Sequence, residues 1–350
     1  IFVSNQYQAR EMSQFRLIAI SMVIMSSSIT FAREILTAAF SIKSSFPSWK
    51  NALAMIVLTA FGLASGCSDP LQNLANTEAS DLTDAVAYPK AGNKSDGLIS
   101  AFYGLDDSIP TFATYRLCGS LGVGGDGMPV IFSEQVDIAT LEAGDFQVTL
   151  ENGAKVGPDC VTPAPADDIG ELRTILMIGD FGSIDNEPAN VEVIGNLFSM
   201  DHTINYKGSQ VGVTELAKGP SLVLAESVDK EEWELGKQAS ARRFGGGNGC
   251  PDATRQVIRV VWNGGVTKPG GGEVDDVERK AYKVMTVNPD GTDDIIHPFA
   301  LGDLGDGDNN HELCLDTPNQ VVRVEFPADL VTDPREDLNP ATRVMVTSSK

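Results

Sequence analysis

The sequence is short of the residues on which most enzymes and nucleic-acid binders depend. Histidine occurs three times, tryptophan three times, and aromatic residues make up 7% of the chain. Basic residues number 26 against 48 acidic ones, a formal net charge of −22. A surface of that sign repels phosphate backbones and anionic headgroups, which argues against nucleic-acid binding. No C-x-x-C pair occurs, so neither a zinc knuckle nor a dithiol redox motif is present. There is no G-x-S-x-G elbow and no Ser-x-x-Lys in a meaningful setting. The glycine clusters at 122–127, 245–249 and 270–272 lack the spacing and lysine of a phosphate loop, and read as hairpin turns and loops. His202, His297 and His311 are isolated, with no H-E-x-x-H pattern. His297, His311 and Glu312 could form a zinc set only through the fold. Beyond residue 66 no apolar run approaches the ~18 residues that a membrane-spanning helix needs.

An export signal is present. Lys50 precedes an apolar core over 52–63, and Ala64, Ser65 and Gly66 then lead into Cys67. A positive charge, an apolar stretch and small residues, in that order, make a secretory signal. The Ala64-Ser65-Gly66-Cys67 ending resembles the bacterial lipobox, in which the cysteine is acylated and becomes the new N-terminus. Ala64 stands where leucine is commonest. The resemblance implies a protein held to a membrane by acyl chains at Cys67, and, if the cell is Gram-negative, Ser68 after the cysteine implies its outer membrane. A second apolar run, 17–25, lies ahead of the signal, so the leader is long or its start is misassigned. Residues 1–66 are therefore expected to be removed. The remainder carries 21 basic and 46 acidic residues, which suits a solvated extracytoplasmic surface or the recruitment of cations.

Residues 67–98 are polar and without sustained period, and read as the acylated cysteine followed by a flexible tether. Beyond them alternation of period two recurs. Phe146, Val148 and Leu150 share one face, Val191 and Val193 flank Glu192, and Val322, Val324 and Phe326 alternate with Arg323 and Glu325. Further β-rich runs occupy 172–178, 257–262 and 343–347, with turn residues at 151–153, 288–291 and 303–310. Many short strands so punctuated predict an all-β fold of sandwiches. The spacing predicts one polar surface helix or linker over 230–243. An echo between Val213-Thr214-Glu215 and Val331-Thr332-Asp333 suggests two units, divided as 99–228 and 229–350.

Over some twenty residues, Pro129-Val130-Ile131-Phe132-Ser133-Glu134-Gln135-Val136-Asp137, then Thr140-Leu141, then Phe146-Gln147-Val148-Thr149, the chain resembles the bacterial Ig-like modules of surface and adhesion proteins. A strand, a short turn closed by Asp137 and Thr140, and a second alternating strand give the motif its physical sense. The resemblance implies two Ig-like β-sandwiches, the second divergent, and a role in binding or spacing more often than in catalysis. Typical modules carry no cysteines, and this chain departs from them there.

Setting Cys67 aside leaves Cys118, Cys160, Cys250 and Cys314, an even number that predicts two disulfides in an oxidising compartment. Three connectivities are open. Cys118–Cys160 with Cys250–Cys314 keeps each bridge inside one proposed unit. Hard oxygen ligands concentrate at Asp303, Asp306, Asp308, Asn310 and Glu312, with Asp316 nearby. Asp306, Asp308 and Asn310 have the one-three-five spacing of an EF-hand loop. His311 at the glycine position and Thr317 in place of the bidentate glutamate rule that motif out. A looser calcium site is the functional expectation, and a solvated acidic loop the plainer alternative. Trp233 and Trp262 could stack on sugars or simply pack. Together these features point to a cell-envelope lipoprotein with a binding, adhesion or structural role toward a protein or glycan. The alternatives are a calcium-stabilised adhesion module and an extracytoplasmic hydrolase with a carboxylate site. With so many acidic residues, no particular pair marks the last of these.

Overall fold

The computed structural model describes residues 97–119, 124–240 and 246–347. The leader, the signal around Cys67 and the tether up to residue 96 lie outside them. Sixteen strands dominate. The first eight are β1 (Leu98–Phe102), β2 (Asp126–Phe132), β3 (Phe146–Leu150), β4 (Lys155–Val156), β5 (Cys160–Thr162), β6 (Thr174–Gly179), β7 (Pro188–Val193) and β8 (Gln210–Thr214). The second eight are β9 (Leu222–Ser227), β10 (Gln256–Trp262), β11 (Lys283–Val287), β12 (Asp293–Ile296), β13 (Ala300–Gly302), β14 (Asn310–Leu315), β15 (Gln320–Phe326) and β16 (Thr342–Thr347). Two short helices, α1 (Thr111–Cys118) and α2 (Asp276–Ala281), sit in connections. No helix among the described residues is long and apolar enough to cross a membrane.

The strands form two sheets, ordered β4-β3-β7-β8-β1-β2-β6-β5 and β12-β11-β15-β16-β9-β10-β14-β13. The second order is the first advanced by eight, so the described residues repeat one β-sandwich topology. In each, one parallel pair joins two antiparallel halves: Ala101 and Phe102 face Val213 and Thr214, while Ala225 and Glu226 face Val346 and Thr347. The counterpart of Val213-Thr214 is therefore Val346-Thr347. The echo at Val331-Thr332 instead falls in the connection before β16, where Thr332 bridges Thr267.

The halves fold over one another. In the first unit Phe132 of β2 stands edge-on to Phe146 of β3 at 6.3 Å, and Phe132 meets Tyr206 at 4.7 Å. In the second, Trp262 of β10 packs against Phe326 of β15 at 5.2 Å and donates a hydrogen bond to the Tyr282 hydroxyl at 3.0 Å. Trp262 is thus core, and Trp233 is half-buried with its ring N–H on the Val228 carbonyl. The Asp137 turn forms as the sequence implies. Its carboxylate accepts from the Ala139 N–H at 3.0 Å and its carbonyl from the Thr140 hydroxyl at 2.8 Å. The disulfides join Cys118 to Cys160 and Cys250 to Cys314, one in each unit.

The units meet through the β1-β2-β6 and β9-β10-β14 faces. Ile131 packs with Val223, Leu224 and Val261 across the seam, with Ile99 beside them. This explains why β10 and β14 are buried almost throughout while β3 keeps strict alternation: their second face is covered by the other unit. Three expectations are corrected here. β9 belongs to the second sheet, so the seam falls between Thr214 and Leu222 and not at 228/229. Leu98, assigned to the tether, opens β1. Of 230–243, read as a polar surface helix or linker, only a single turn at Lys230–Glu232 is helical among the described residues, because the segment has no apolar face to bury.

Candidate metal centre

Where the units meet, two loops supply carboxylates. The loop between β13 and β14 carries Asp303, Asp306 and Asp308, all buried, and the loop between β5 and β6 carries Asp168 and Glu171. Asp303, Asp306 and Asp308 each place a carboxylate oxygen within 4.8 Å of the others. Asp168, Glu171 and Asp303 form a second such group, so Asp303 is common to both. Two oxygens on opposite sides of a calcium ion, each at about 2.3–2.6 Å, are separated by roughly that distance.

Local structure holds the loops in this arrangement. Asp303 adopts a left-handed conformation with φ of 61°, which Asp and Asn tolerate better than other side chains. Its N–H donates to the Asn248 carbonyl at 2.5 Å. Gly247 must be glycine: a Cβ there would lie 2.6 Å from Asp303 Oδ1 and 2.7 Å from its Cα. Asp308 is braced by Asn310, whose backbone N–H reaches Oδ1 at 2.8 Å and whose Nδ2 reaches Oδ2 at 2.6 Å. Asp306 Oδ1 accepts a long bond from the Asp308 N–H at 3.4 Å. Opposite them, Asp168 Oδ2 takes the Gly247 N–H at 2.9 Å and Lys237 Nζ at 3.1 Å. Glu171 Oε2 accepts from the Asp168 N–H at 3.2 Å.

Hydrogen bonding leaves a remainder. Asp303 Oδ2, Asp306 Oδ2 and Asn310 Oδ1 are buried with no hydrogen-bond partner, a costly state for any polar atom and more so for a carboxylate. Among the described residues no basic group lies within ion-pair distance of Glu171, Asp303, Asp306 or Asp308. The nearby guanidiniums are engaged elsewhere. Arg259, fully buried, binds Glu312 at 3.2 Å and the carbonyls of Ile169 and Gly170 at 2.9 and 3.2 Å. Arg173 holds Glu226 at 2.8 Å. Electrostatics record the surplus. Burial pushes the Glu171 carboxyl up to about 7. Burial, then the charge of Asp308, raises Asp303 well above the carboxylate range, and burial with Glu171 does the same to Asp308. Burial raises Asp306 as well.

Oxygen donors alone line the centre, and hard divalent cations prefer such a set. Of the residues singled out in the sequence, Asp303, Asp306 and Asp308 come together and Asn310 braces them. Glu312 does not join, because it is paired with Arg259, and Asp316 is exposed at the end of β14. Asp168 and Glu171 were missed. The acidic stretch Asp167-Asp168-Ile169-Gly170-Glu171 was the only trace in the sequence, and nothing there shows which distant loop it meets. The histidines go elsewhere. His311 Nδ1 bonds the Tyr282 hydroxyl at 2.8 Å, with burial pushing its ring down to about 4, and His297 Nδ1 bonds the Tyr282 carbonyl at 2.7 Å. A cavity of about 170 Å³ adjoins the centre, walled by Phe102, Ile109, Pro129, Leu176 and Asp308 among others. Asp308 is the one acidic residue in its lining, so it does not present the convergent carboxylates that hydrolysis of a glycoside needs.

No protein-family model and no curated protein matches the chain. Among solved structures it is similar to the N-terminal part of the bacterial S-layer protein SbsC, at 12% identity and a TM-score of 0.24, over 72% of this chain and 44% of that one. A structure of SbsC domains 1–6 gives 11% identity and a TM-score of 0.24, over 72% and 41%. The chain thus spans less than half the length of these structures. A superposition of that quality carries no weight, and the functional reading rests on the chain's own residues.

Proposed function

We propose that this chain is a cell-surface lipoprotein, anchored through Cys67, that displays two Ig-like sandwiches and holds a calcium ion at Asp303, Asp306 and Asp308. Its work is binding, adhesion or spacing at the envelope, toward a protein or glycan. The observation that carries the calcium reading is the pair of buried carboxylate oxygens, Asp303 Oδ2 and Asp306 Oδ2, that lack a hydrogen-bond donor within a cluster of three aspartates. A bound cation would satisfy them together, and the folding cost of burying them becomes affinity for the ion. Three further features support the wider reading. The strand order, β1-β2-β6-β5 against β8-β7-β3-β4 in the first unit and repeated in the second, supports the Ig-type reading. Two disulfides suit an oxidising compartment. The surface charge is strongly negative.

The test is isothermal titration of the chelator-stripped chain with calcium chloride and, separately, magnesium chloride. Saturable calcium binding with proton release is expected, since carboxyls pushed up by burial must give up their protons to the ion. Magnesium should bind more weakly, because it demands a near-ideal octahedron and dehydrates reluctantly. Heats equal to dilution for both salts would remove the calcium reading.

A further inference from the structure

Resting on that reading, we infer that the ion is shared by the two sandwiches: Glu171 of the first unit completes the shell begun by Asp303, Asp306 and Asp308 of the second, so calcium locks the seam. Three carboxylates from one loop fall short of the six to eight oxygens that calcium takes. Glu171 is buried, and one of its oxygens lies within 4.8 Å of an Asp303 oxygen. Asp303 Oδ2 is itself buried and unpartnered, and Asp303 belongs to both groups. Glu171 therefore stands beside the one residue that both groups share, with Asp168 as its own neighbour from the first unit.

The rest of the seam shows what such a lock would act on. Its apolar part is small: Ile131, Val223, Leu224 and Val261, with Ile99. The remainder is polar and directional. Arg259 reaches the Gly170 and Ile169 carbonyls on the Glu171 loop, Asn309 Nδ2 bonds Thr174 Oγ1 at 3.2 Å, and Arg173 crosses to Glu226. Gly170, at φ of +88°, lies directly under the Arg259 guanidinium, where a Cβ would collide with it. The loop carrying Glu171 is thus pinned on one side by Arg259, while on the other its carboxyl faces that of Asp303. Without the ion the two loops are held only by those contacts. With it they become a clamp, and a seam of modest area becomes a stiff joint.

Hydrogen exchange read by mass spectrometry on the full chain tests this, in calcium, in magnesium and in chelator, for the wild type and Glu171→Gln. With calcium a hundredfold above its Kd, local opening of both loops should slow about a hundredfold. Peptides from 163–174 and from 303–310 should both report it in the wild type. Glu171→Gln, which keeps the shape and removes the charge, should lose the effect in 163–174 and keep part of it in 303–310. Calcium protection confined to 303–310 in the wild type would overturn the shared ion while leaving calcium binding intact. Absence of protection in either loop would take down the calcium reading and this inference together. The wild-type comparison needs no variant to fold.

Discussion

Replacing Asp303 by asparagine should move stability in opposite directions with and without calcium. In the metal-free protein Asp303 is a buried carboxyl beside Asp308 and Glu171, kept from ionising mainly by burial, and its Oδ2 has no donor. Asparagine has no charge to bury, supplies an N–H to the neighbouring carboxyls and accepts the φ of 61° without strain. Relieving one buried, unsatisfied group is worth about 1–3 kcal/mol. For two sandwiches of this combined size each kcal/mol moves the melting temperature by about 2–4 °C, so the variant in chelator should melt about 2–12 °C above the wild type. With calcium at a hundredfold over Kd, the wild type gains about 2.7 kcal/mol from linkage. A hundredfold weaker variant at the same concentration would gain only about 0.4 kcal/mol. Differential scanning calorimetry at pH 7.5, in chelator and in calcium, reads both signs. A variant less stable than wild type in chelator, with an undiminished calcium shift, would refute the reasoning. Asp303 would then be a structural residue and no ligand.

Gly247→Ala should weaken calcium binding while leaving both disulfides formed, because its Cβ would sit 2.6 Å from Asp303 Oδ1; titration calorimetry beside a thiol count checks this. The buried Asp333 carboxyl, pushed up to about 6 mainly by burial, has a folded value above the reference of 3.8. Its stabilising contribution is complete below about pH 4 and is lost as pH rises through 6. Asp333→Asn should flatten that decline by roughly 1–3 kcal/mol in urea melts between pH 4 and 7. Removing the Cys250–Cys314 bridge, which spans 64 residues, by a double serine substitution should cost about 4 kcal/mol in denaturant titration. Mass spectrometry of the mature N-terminus should find an acylated Cys67; any other N-terminus contradicts the lipoprotein reading.

Much of the fold was legible because half-buried strands advertise themselves. The Phe146, Val148, Leu150 alternation became β3, buried on every second residue, and the Asp137 turn formed from its own short-range hydrogen bonds. β9 was misplaced for the opposite reason. Leu222, Val223, Leu224 and Ala225 are all buried, some in their own core and some at the seam, so no period marks the side to which the strand belongs. The repeated topology places Val346-Thr347, not Val331-Thr332, opposite Val213-Thr214, and two turn-then-strand endings look alike without their pairing partners. The metal centre divided in the same way. Asp303, Asp306 and Asp308 are neighbours in one glycine-rich loop, and their chemistry could be read from spacing. Glu171 joins them only because two sandwiches pack, and Glu312 leaves them only because Arg259 is buried beside it. Neither fact has a local signature.

The most direct test is an anomalous-scattering map from crystals of the chain grown with calcium. The account predicts a peak enclosed by the oxygens of Asp303, Asp306 and Asp308, at about 2.3–2.6 Å from each, with Glu171 as the ligand from the first sandwich. The same oxygens closed on shared protons or ordered water, with no peak at saturating calcium, would contradict it.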